Sequence, residues 1–261
     1  MLELYQFEIS QYCEKIRLIL DYKGLEYRKV EIMPGVGQLE VFRLSGQAKV
    51  PVLKDGDTVI ADSTEIALYL DKKYPEIPII PTDPVLRGQC LLIEEWADVS
   101  IGDKGRKALL AALNQNQDFR KSVLPKDTPD LIKNLIGAFP SDVLSLLGTG
   151  VGMGTDILKE AQKTIKQDLE ALCLILQHRP YLVGDQVTLA DLAVAGLSMI
   201  LKFPGGEYLD IPDHLKGKGI PGIADNSAYE VFFEWRDRLY TNYRKRAKVS
   251  GDSNPTTIDI E

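Results

Sequence analysis

The chain has 261 residues, 31 of them basic and 38 acidic, which gives a formal net charge of −7 and a pI of about 5.1. Such an acidic chain lacks the basic footprint of a nucleic-acid-binding protein. Its 44% hydrophobic residues contain no run long enough to predict a membrane-spanning helix. Residues 1–7 have the pattern of a strand, not of a signal peptide, so we expect a cytoplasmic protein.

Short strand-like runs alternate with helical runs over residues 1–77. In chain order the patterns predict a strand at 2–7, a helix at 12–23, a strand at 27–32, an irregular stretch at 33–46, strands at 51–54 and 58–61, and a helix at 62–74. The dipeptide Asp55-Gly56 predicts the hairpin between the last two strands. The order βαβ, irregular stretch, ββα is typical of a thioredoxin-like α/β domain.

The second part of the chain predicts only helices. Residues 75–84 contain four prolines and predict a linker, and residues 85–248 predict an all-α helical bundle. Helices are expected at 85–113, 130–147, 156–177, 189–202 and 228–245. Within the long stretch 115–155, the glycine-rich residues 148–154 lack the Lys-Ser/Thr ending of a phosphate-binding loop, so we predict that they form a flexible connector. Residues 249–261 are polar, and we expect a flexible tail.

Serine 10 lies where the first strand ends and the first helix begins. Main-chain N–H groups and the positive end of the helix dipole stabilise a thiolate at such a junction. An ordinary N-cap serine is the alternative interpretation. Cys13, three residues on, lacks a partner cysteine at position 10, which favours a buried structural thiol. Cys90 and Cys173 are distant, and the three cysteines predict neither a metal site nor a disulfide framework.

Two more junctions carry residues suited to binding a charged peptide. Pro51 suits only a strand start or an edge, and a cis proline there in a thioredoxin-like domain leaves the backbone of Val50 open to pair with a peptide-like ligand. The carboxylate of Asp62 can accept hydrogen bonds from an ammonium group. The hydroxyl and amide of Ser63, at a helix N-terminus, can donate hydrogen bonds to a carboxylate. A plain helix cap is again the alternative.

Together these stretches resemble the N-terminal domain of cytosolic glutathione transferases, and most closely their serine-type, theta-like classes. The resemblance rests on residues 2–5, 10–13, 49–56 and 62–70, and in the second domain on 181–185 and 188–191. Thr188 and Asp191 predict the capping box of the family. The resemblance covers residues 1–80 and 180–200 and leaves the middle of the chain unmatched.

The resemblance implies a glutathione transferase with glutathione as co-substrate. Ser10 would donate a hydrogen bond to the thiol, and Val50 beside a cis Pro51 would pair with the cysteinyl part. Asp62 and Ser63 would hold the γ-glutamyl end.

The glycyl carboxylate would meet Lys49, with Gln38 as a looser candidate. The thiolate would then attack a hydrophobic electrophile bound between the domains. Members of the family are usually homodimers.

Two other functions remain open at this stage. A glutathione-dependent thiol–disulfide or dehydroascorbate reductase usually has a cysteine where Ser10 stands and would here rely on Cys13. A non-catalytic ligand-binding protein could use the same fold. The pocket for the second substrate has four candidate wall residues, for each of which core or surface packing is the alternative: Trp96, Arg106, Tyr229 and Trp235.

Overall fold

The computed structural model describes residues 1–32, 37–122 and 155–247. The predicted helix at 130–147, the glycine-rich stretch 148–154 and the predicted tail at 249–261 lie outside the described residues. No described helix is long and apolar enough to cross a membrane.

The first 73 residues form a mixed four-stranded sheet with three helices. The elements are β1 (Leu2–Gln6), α1 (Gln11–Tyr22), β2 (Tyr27–Glu31), α2 (Gly37–Ser45), β3 (Val52–Asp55), β4 (Thr58–Ala61) and α3 (Ser63–Lys73). The strand order is β2-β1-β3-β4, with β1 parallel to β2 and antiparallel to β3. This is the predicted thioredoxin-like arrangement, so the fold prediction for this part is confirmed.

The prediction of an irregular stretch at 33–46 is wrong where α2 forms. Val41 of α2 is fully buried against Tyr5, Ile32 and Val52, on one face of the sheet. The other α2 side chains are exposed or half-buried, which left too weak an apolar period to predict a helix. Tertiary contact of Val41, with the partly buried Leu44 beside it, therefore stabilises α2 against the sheet.

Alternate residues of the strands divide between two cores. Leu4 and Leu53 point to the face that α1 and α3 cover, while Tyr5 and Val52 point to the face that α2 covers. This period of two is what a sheet covered on both faces requires.

The second part of the described chain is helical. Its α-helices are α4 (Pro84–Ala97), α5 (Gly105–Gln115), α6 (Gln117–Ser122), α7 (Thr155–Leu176), α8 (Leu189–Leu197) and α9 (Glu230–Tyr243). The predicted helix at 85–113 is therefore interrupted: a π-helical segment, Asp98–Lys104, separates α4 from α5. Helix α6 forms where no helix is predicted. The other described helices deviate from prediction by a few residues at their ends, where boundaries are least determined.

Helix α8 joins the two parts of the molecule, because it packs against both α1 and α4 and every one of its residues is buried. At Gly196 it comes so close to α1 that an added Cβ would lie 2.6 Å from the Cα of Lys15. The capping box at its start is confirmed: the carboxylate of Asp191 accepts from the amide of Thr188 at 2.9 Å and from that of Leu182 at 2.8 Å.

Candidate functional site

The strand register places three predicted junctions at the same end of the sheet, where these strands begin or finish. Tyr5 of β1 pairs with Val52 of β3, and Val52 pairs with Ala61 of β4, so the three residues form one row. The chain leaves β1 toward Ser10, enters β3 from Val50-Pro51, and leaves β4 into Asp62-Ser63, all at the end of the sheet marked by this row. We call this end the junction edge.

Ser10 is the N-cap of α1, and its side chain is half-buried. Its Oγ accepts a bond of 3.4 Å from the amide of Cys13, and its own amide donates to the carbonyl of Phe7 at 2.9 Å. Because the cap uses Oγ as an acceptor, the hydroxyl hydrogen stays available for a second partner. The cap interpretation and the thiol-donor interpretation are therefore compatible.

The two neighbours of Ser10 that carry reactive groups are less suited to a thiol chemistry. Cys13 is fully buried, and burial raises the pKa of its thiol. Tyr12 donates its hydroxyl to the carbonyl of Asp98 at 3.0 Å, and burial, reinforced by the Asp98 carboxylate, raises its pKa to about 12. Of these three residues, Ser10 alone combines partial exposure with an uncommitted hydrogen.

The peptide bond between Val50 and Pro51 is cis, as the sequence predicts. Val50 is half-buried against the α2 face of the sheet, whereas Lys49 beside it is exposed. Gln38 is exposed in the first turn of α2, one turn before the buried Val41. Both candidates for a carboxylate are thus accessible to a ligand.

Asp62 caps α3 in a left-handed backbone conformation, with φ at 79°. Its Oδ1 accepts from the amides of Thr64 and Glu65 at 2.9 and 3.3 Å, and the residue is exposed. A non-glycine residue in this region is uncommon and carries strain. Ser63, by contrast, is buried, with only 4% of its surface exposed.

A buried ammonium group, missed by the sequence analysis, supports Ser63 from behind. The side chain of Lys15 is fully buried; its Nζ pairs with the carboxylate of Glu94 and with that of Asp98 at 2.8 Å. It also lies 3.4 Å from the hydroxyls of Ser63 and Thr64. Burial raises the pKa of Asp98, although Lys15 opposes the effect. We call these five residues the lysine cluster.

A second buried network supports the loop before Ser10. Arg17 donates to the carbonyl of Glu8 at 2.7 Å and pairs with the carboxylate of Glu14. Arg244, just after α9, pairs with Glu14 at 3.0 Å and with Asp21 at 2.6 Å. We call Glu8, Glu14, Arg17, Asp21 and Arg244 the arginine cluster. One feature of the sequence could have indicated both clusters: charged residues lie among the apolar residues of helix α1.

The four candidate wall residues fall into different environments. Tyr229 and Trp235 are each 2% exposed in the core, and the indole N–H of Trp235 donates to the carbonyl of Pro180, so for these two residues the alternative of core packing is confirmed. Trp96 is half-buried against the core, and the exposed Arg106 pairs with Asp103 at 3.2 Å. Aromatic residues in the middle of amphipathic helices are buried more often than they line a cleft.

An apolar groove of about 550 Å³ lies elsewhere, between α4 and α7. Leu92, Ile93, Leu174 and Ile175 line it, and it shares no lining residue with the junction edge. Gln89, His178 and Arg179 also line this groove, but it lies apart from the three junctions, so we place the candidate site at the junction edge.

Two family profiles match the chain. The profile described as glutathione S-transferase, N-terminal domain, matches residues 4–78, and the profile described as glutathione S-transferase, C-terminal domain, matches residues 154–217. The first contains the whole junction edge, and the second contains α8 and its capping box.

Individual proteins are similar over different shares of their length. A zeta-class glutathione S-transferase of Euphorbia esula is 39% identical over 85 residues, which are 31% of this chain and only 38% of that relative. A stringent starvation protein A homolog of Pasteurella multocida is 27% identical over 175 residues, which are 64% of this chain and 82% of that protein. The crystal structure of a glutathione S-transferase from Rhodospirillum rubrum F11 has a similar fold: the TM-score is 0.62 with 17% identity, over 92% of this chain and 88% of that one.

Proposed function

We propose that this chain binds glutathione at the junction edge and activates its thiol with Ser10. The chain belongs to the glutathione S-transferase family, because the two family profiles together match more than half of it. The bound thiolate then conjugates an electrophilic small molecule. The observation that carries the proposal is the row of Tyr5, Val52 and Ala61, which gathers three chemically suited junctions at one edge.

Each part of the tripeptide has a matching group in this proposal. The ammonium of the γ-glutamyl end meets Asp62, and its carboxylate meets the hydroxyl and amide of Ser63 at the start of α3. The cysteinyl backbone pairs with the main chain of Val50 beside Pro51. The glycyl carboxylate meets Lys49, with Gln38 as the alternative. The sulfur then lies at the N-terminus of α1, beside Ser10.

The hydroxyl of Ser10 and the first amides of α1 stabilise the thiolate relative to the thiol. A free thiol has a pKa of about 8.5, so a decrease of about two units, worth ~1.4 kcal/mol each, makes most of the bound form thiolate near neutral pH. The sulfur forms a bond to the electrophilic carbon, whose leaving group departs with the bonding pair. Ser10 acts as a donor; the only histidines in the sequence, His178 and His214, belong to the helical part.

The class of transferase is also part of the proposal. A serine-type, theta-like class rests on Ser10 as thiol donor, whereas the relative from Euphorbia esula is named as zeta class. A hydrophobic electrophile, a homodimer and a cytoplasmic location are proposed with it, on the resemblance alone.

A non-catalytic ligand-binding role is the second candidate function. It stays open because the stringent starvation protein A homolog, whose name is not that of a transferase, matches over a larger share of both chains than the zeta-class relative does. A reductase is a weaker candidate, because Cys13 is fully buried and burial raises the pKa of its thiol.

Substitution of Ser10 separates these functions. Ser10→Ala and Ser10→Gly both remove the hydroxyl, but glycine preserves the N-cap almost fully, while Ser10→Thr keeps both. We expect turnover with an aryl halide to fall about 100-fold in the alanine and glycine variants, with glutathione binding retained, and to persist in the threonine variant. A wild-type protein that binds glutathione without turnover would instead support the non-catalytic role.

A further inference from the structure

The loop that carries Ser10 is held by charged groups from both parts of the molecule. Arg17 of α1 donates to the carbonyl of Glu8 at 2.7 Å and lies 3.2 Å from its carboxylate. The amide of Glu8 donates to Glu31 at 2.8 Å, and its carboxylate accepts from the amide of Asp210 at 3.0 Å. Glu8 stands two residues before Ser10, so its position fixes the start of the turn that presents the hydroxyl.

The guanidinium of Arg17 is itself fixed by a residue far along the chain. Glu14, fully buried, accepts from Arg17 through Oε2 and from Arg244 through Oε1 at 3.0 Å and Oε2 at 3.3 Å. The side chain of Arg244 is 2% exposed, and it also pairs with Asp21 at 2.6 Å and donates to the carbonyl of Tyr208 at 3.3 Å. A fork of five donors with fixed geometry is suited to hold two carboxylates at once.

We infer that Arg244 is a positioning residue for the Ser10 loop and acts through Glu14 and Arg17. The inference rests on the proposed function for its chemical consequence. While Arg244 holds Oε1 of Glu14 and shares Oε2, Arg17 binds Oε2 alone and keeps a nitrogen for the carbonyl of Glu8. Without that guanidinium, both oxygens of Glu14 turn to Arg17, because a bidentate pair is the stronger arrangement. Arg17 then moves away from Glu8, and the loop loses its internal donor.

Arg236, within the helix α9 that ends just before Arg244, provides a matched control. It is a fully buried arginine like Arg244. Its guanidinium, however, donates to Asp237 and to the carbonyl of Lys202, and stacks on Phe233 and Tyr240, all in the helical part. Loss of its guanidinium therefore tests general damage to the core without touching Glu14.

The test compares Arg244→Lys and Arg244→Gln with Arg236→Lys and Arg236→Gln in the full chain. Hydrogen exchange in the ligand-free protein is measured over residues 7–13. We expect exchange there to quicken about tenfold in the Arg244 variants and to stay unchanged in the Arg236 variants at equal loss of melting temperature. If Arg244→Gln does not fold, the comparison of Arg244→Lys with Arg236→Lys still tests the inference, because lysine keeps the positive charge.

A second readout connects the loop to the chemistry. In the Arg244 variants we expect the pKa of the enzyme-bound glutathione thiol, followed by thiolate absorbance, to rise by about one unit, which lowers kcat/KM about tenfold at pH values below it. Unchanged exchange in folded Arg244→Lys, or equal changes in Arg236→Lys, would overturn the inference. A wild type with no acidified thiol would overturn the proposed function alone, because the exchange measurement needs no ligand.

Discussion

The lysine cluster and the arginine cluster lie on opposite sides of the same helix and differ in how they are balanced. In the lysine cluster one ammonium group faces two carboxylates, Glu94 and Asp98, together with two hydroxyls. In the arginine cluster two guanidinium groups share three carboxylates. Lys15 and Arg17 are two positions apart, and successive helical residues turn by about 100°, so their side chains leave α1 in opposite directions.

The difference indicates that the two ends of the candidate site are supported independently. The lysine cluster connects α4 to the start of α3, behind the proposed γ-glutamyl end. The arginine cluster connects the C-terminal segment to the loop of Ser10, behind the proposed thiol end. A lysine suits hydroxyl partners because its three donors rotate, whereas an arginine holds carboxylates in one plane. Binding and thiol activation are therefore expected to respond to different substitutions.

The largest expected effect comes from removing the central cation of each cluster. Lys15→Met leaves Glu94 and Asp98 buried together with no other described cation paired to either, and we expect it to reduce the free energy of unfolding by about 3–5 kcal/mol. Arg17→Met should cost about 2–3 kcal/mol, because Glu14 keeps Arg244 and Glu8 keeps Lys29 at 3.4 Å. Urea unfolding at pH 7 measures both values. A reversed order would mean that the clusters are not balanced as described.

The pH dependence of stability should have opposite signs at Glu8 of the arginine cluster and at Asp98 of the lysine cluster. Burial acts to raise the pKa of Glu8, but Arg17 and Lys29 outweigh it and hold the pKa at about 2. This stabilisation is present above the unfolded pKa of about 4.3 and is lost as pH falls toward 2. Burial raises the pKa of Asp98, so its contribution is favourable at low pH and is lost as pH rises above about 3.9.

Unfolding curves of Glu8→Gln and Asp98→Asn between pH 2 and pH 6 test this difference. Glu8→Gln should lower the free energy of unfolding by about 1–2 kcal/mol at pH 6, after allowance for partial exposure of the carboxylate, and should weaken its fall toward low pH. Asp98→Asn should abolish the decrease in the free energy of unfolding that Asp98 causes in the wild type as the pH rises. The same sign of change in both variants would contradict the contrast between the clusters.

The smallest expected effect is at the hydroxyl that joins the lysine cluster to α3. Thr64 donates to Glu94 at 2.7 Å, and Thr64→Val keeps its shape while removing that donor. We expect a loss of about 1 kcal/mol in the free energy of unfolding, with weaker glutathione binding and an unchanged pKa of the bound thiol. Ser45→Ala, which removes a hydroxyl that bonds within α2, is the control. A shifted thiol pKa in Thr64→Val would show that the two ends are coupled.

Sequence patterns predicted the features that depend on neighbouring residues. The four strands, the hairpin at Gly56, the cap of α3 and the capping box at Thr188 are encoded within a few positions, and the structure contains all of them. The junction residues at Ser10 and Asp62 were identified for the same reason, although their roles toward a ligand remain predictions.

The features that the sequence did not predict depend on distant partners. Lys15 meets Glu94 across 79 positions, and Arg244 meets Glu14 across 230, so no local pattern links them. Helix α2 was missed because Val41 is its only fully buried side chain, with Leu44 partly buried against the same core. Helical spacing could not decide between a pocket wall and core packing for Trp235, because it places a residue on a face without identifying what that face contacts.

Gly196 has a consequence for how closely the helical part can pack against the first part of the molecule. Since a methyl group there would collide with the backbone of Lys15, the hydrogen atom of one glycine sets the distance between α8 and α1. Helix α1 carries Ser10 at its first turn and the central cation of each cluster, so any outward shift would move them as one body. A change in the packing at Gly196 would therefore move both ends of the proposed site together, from a position behind it.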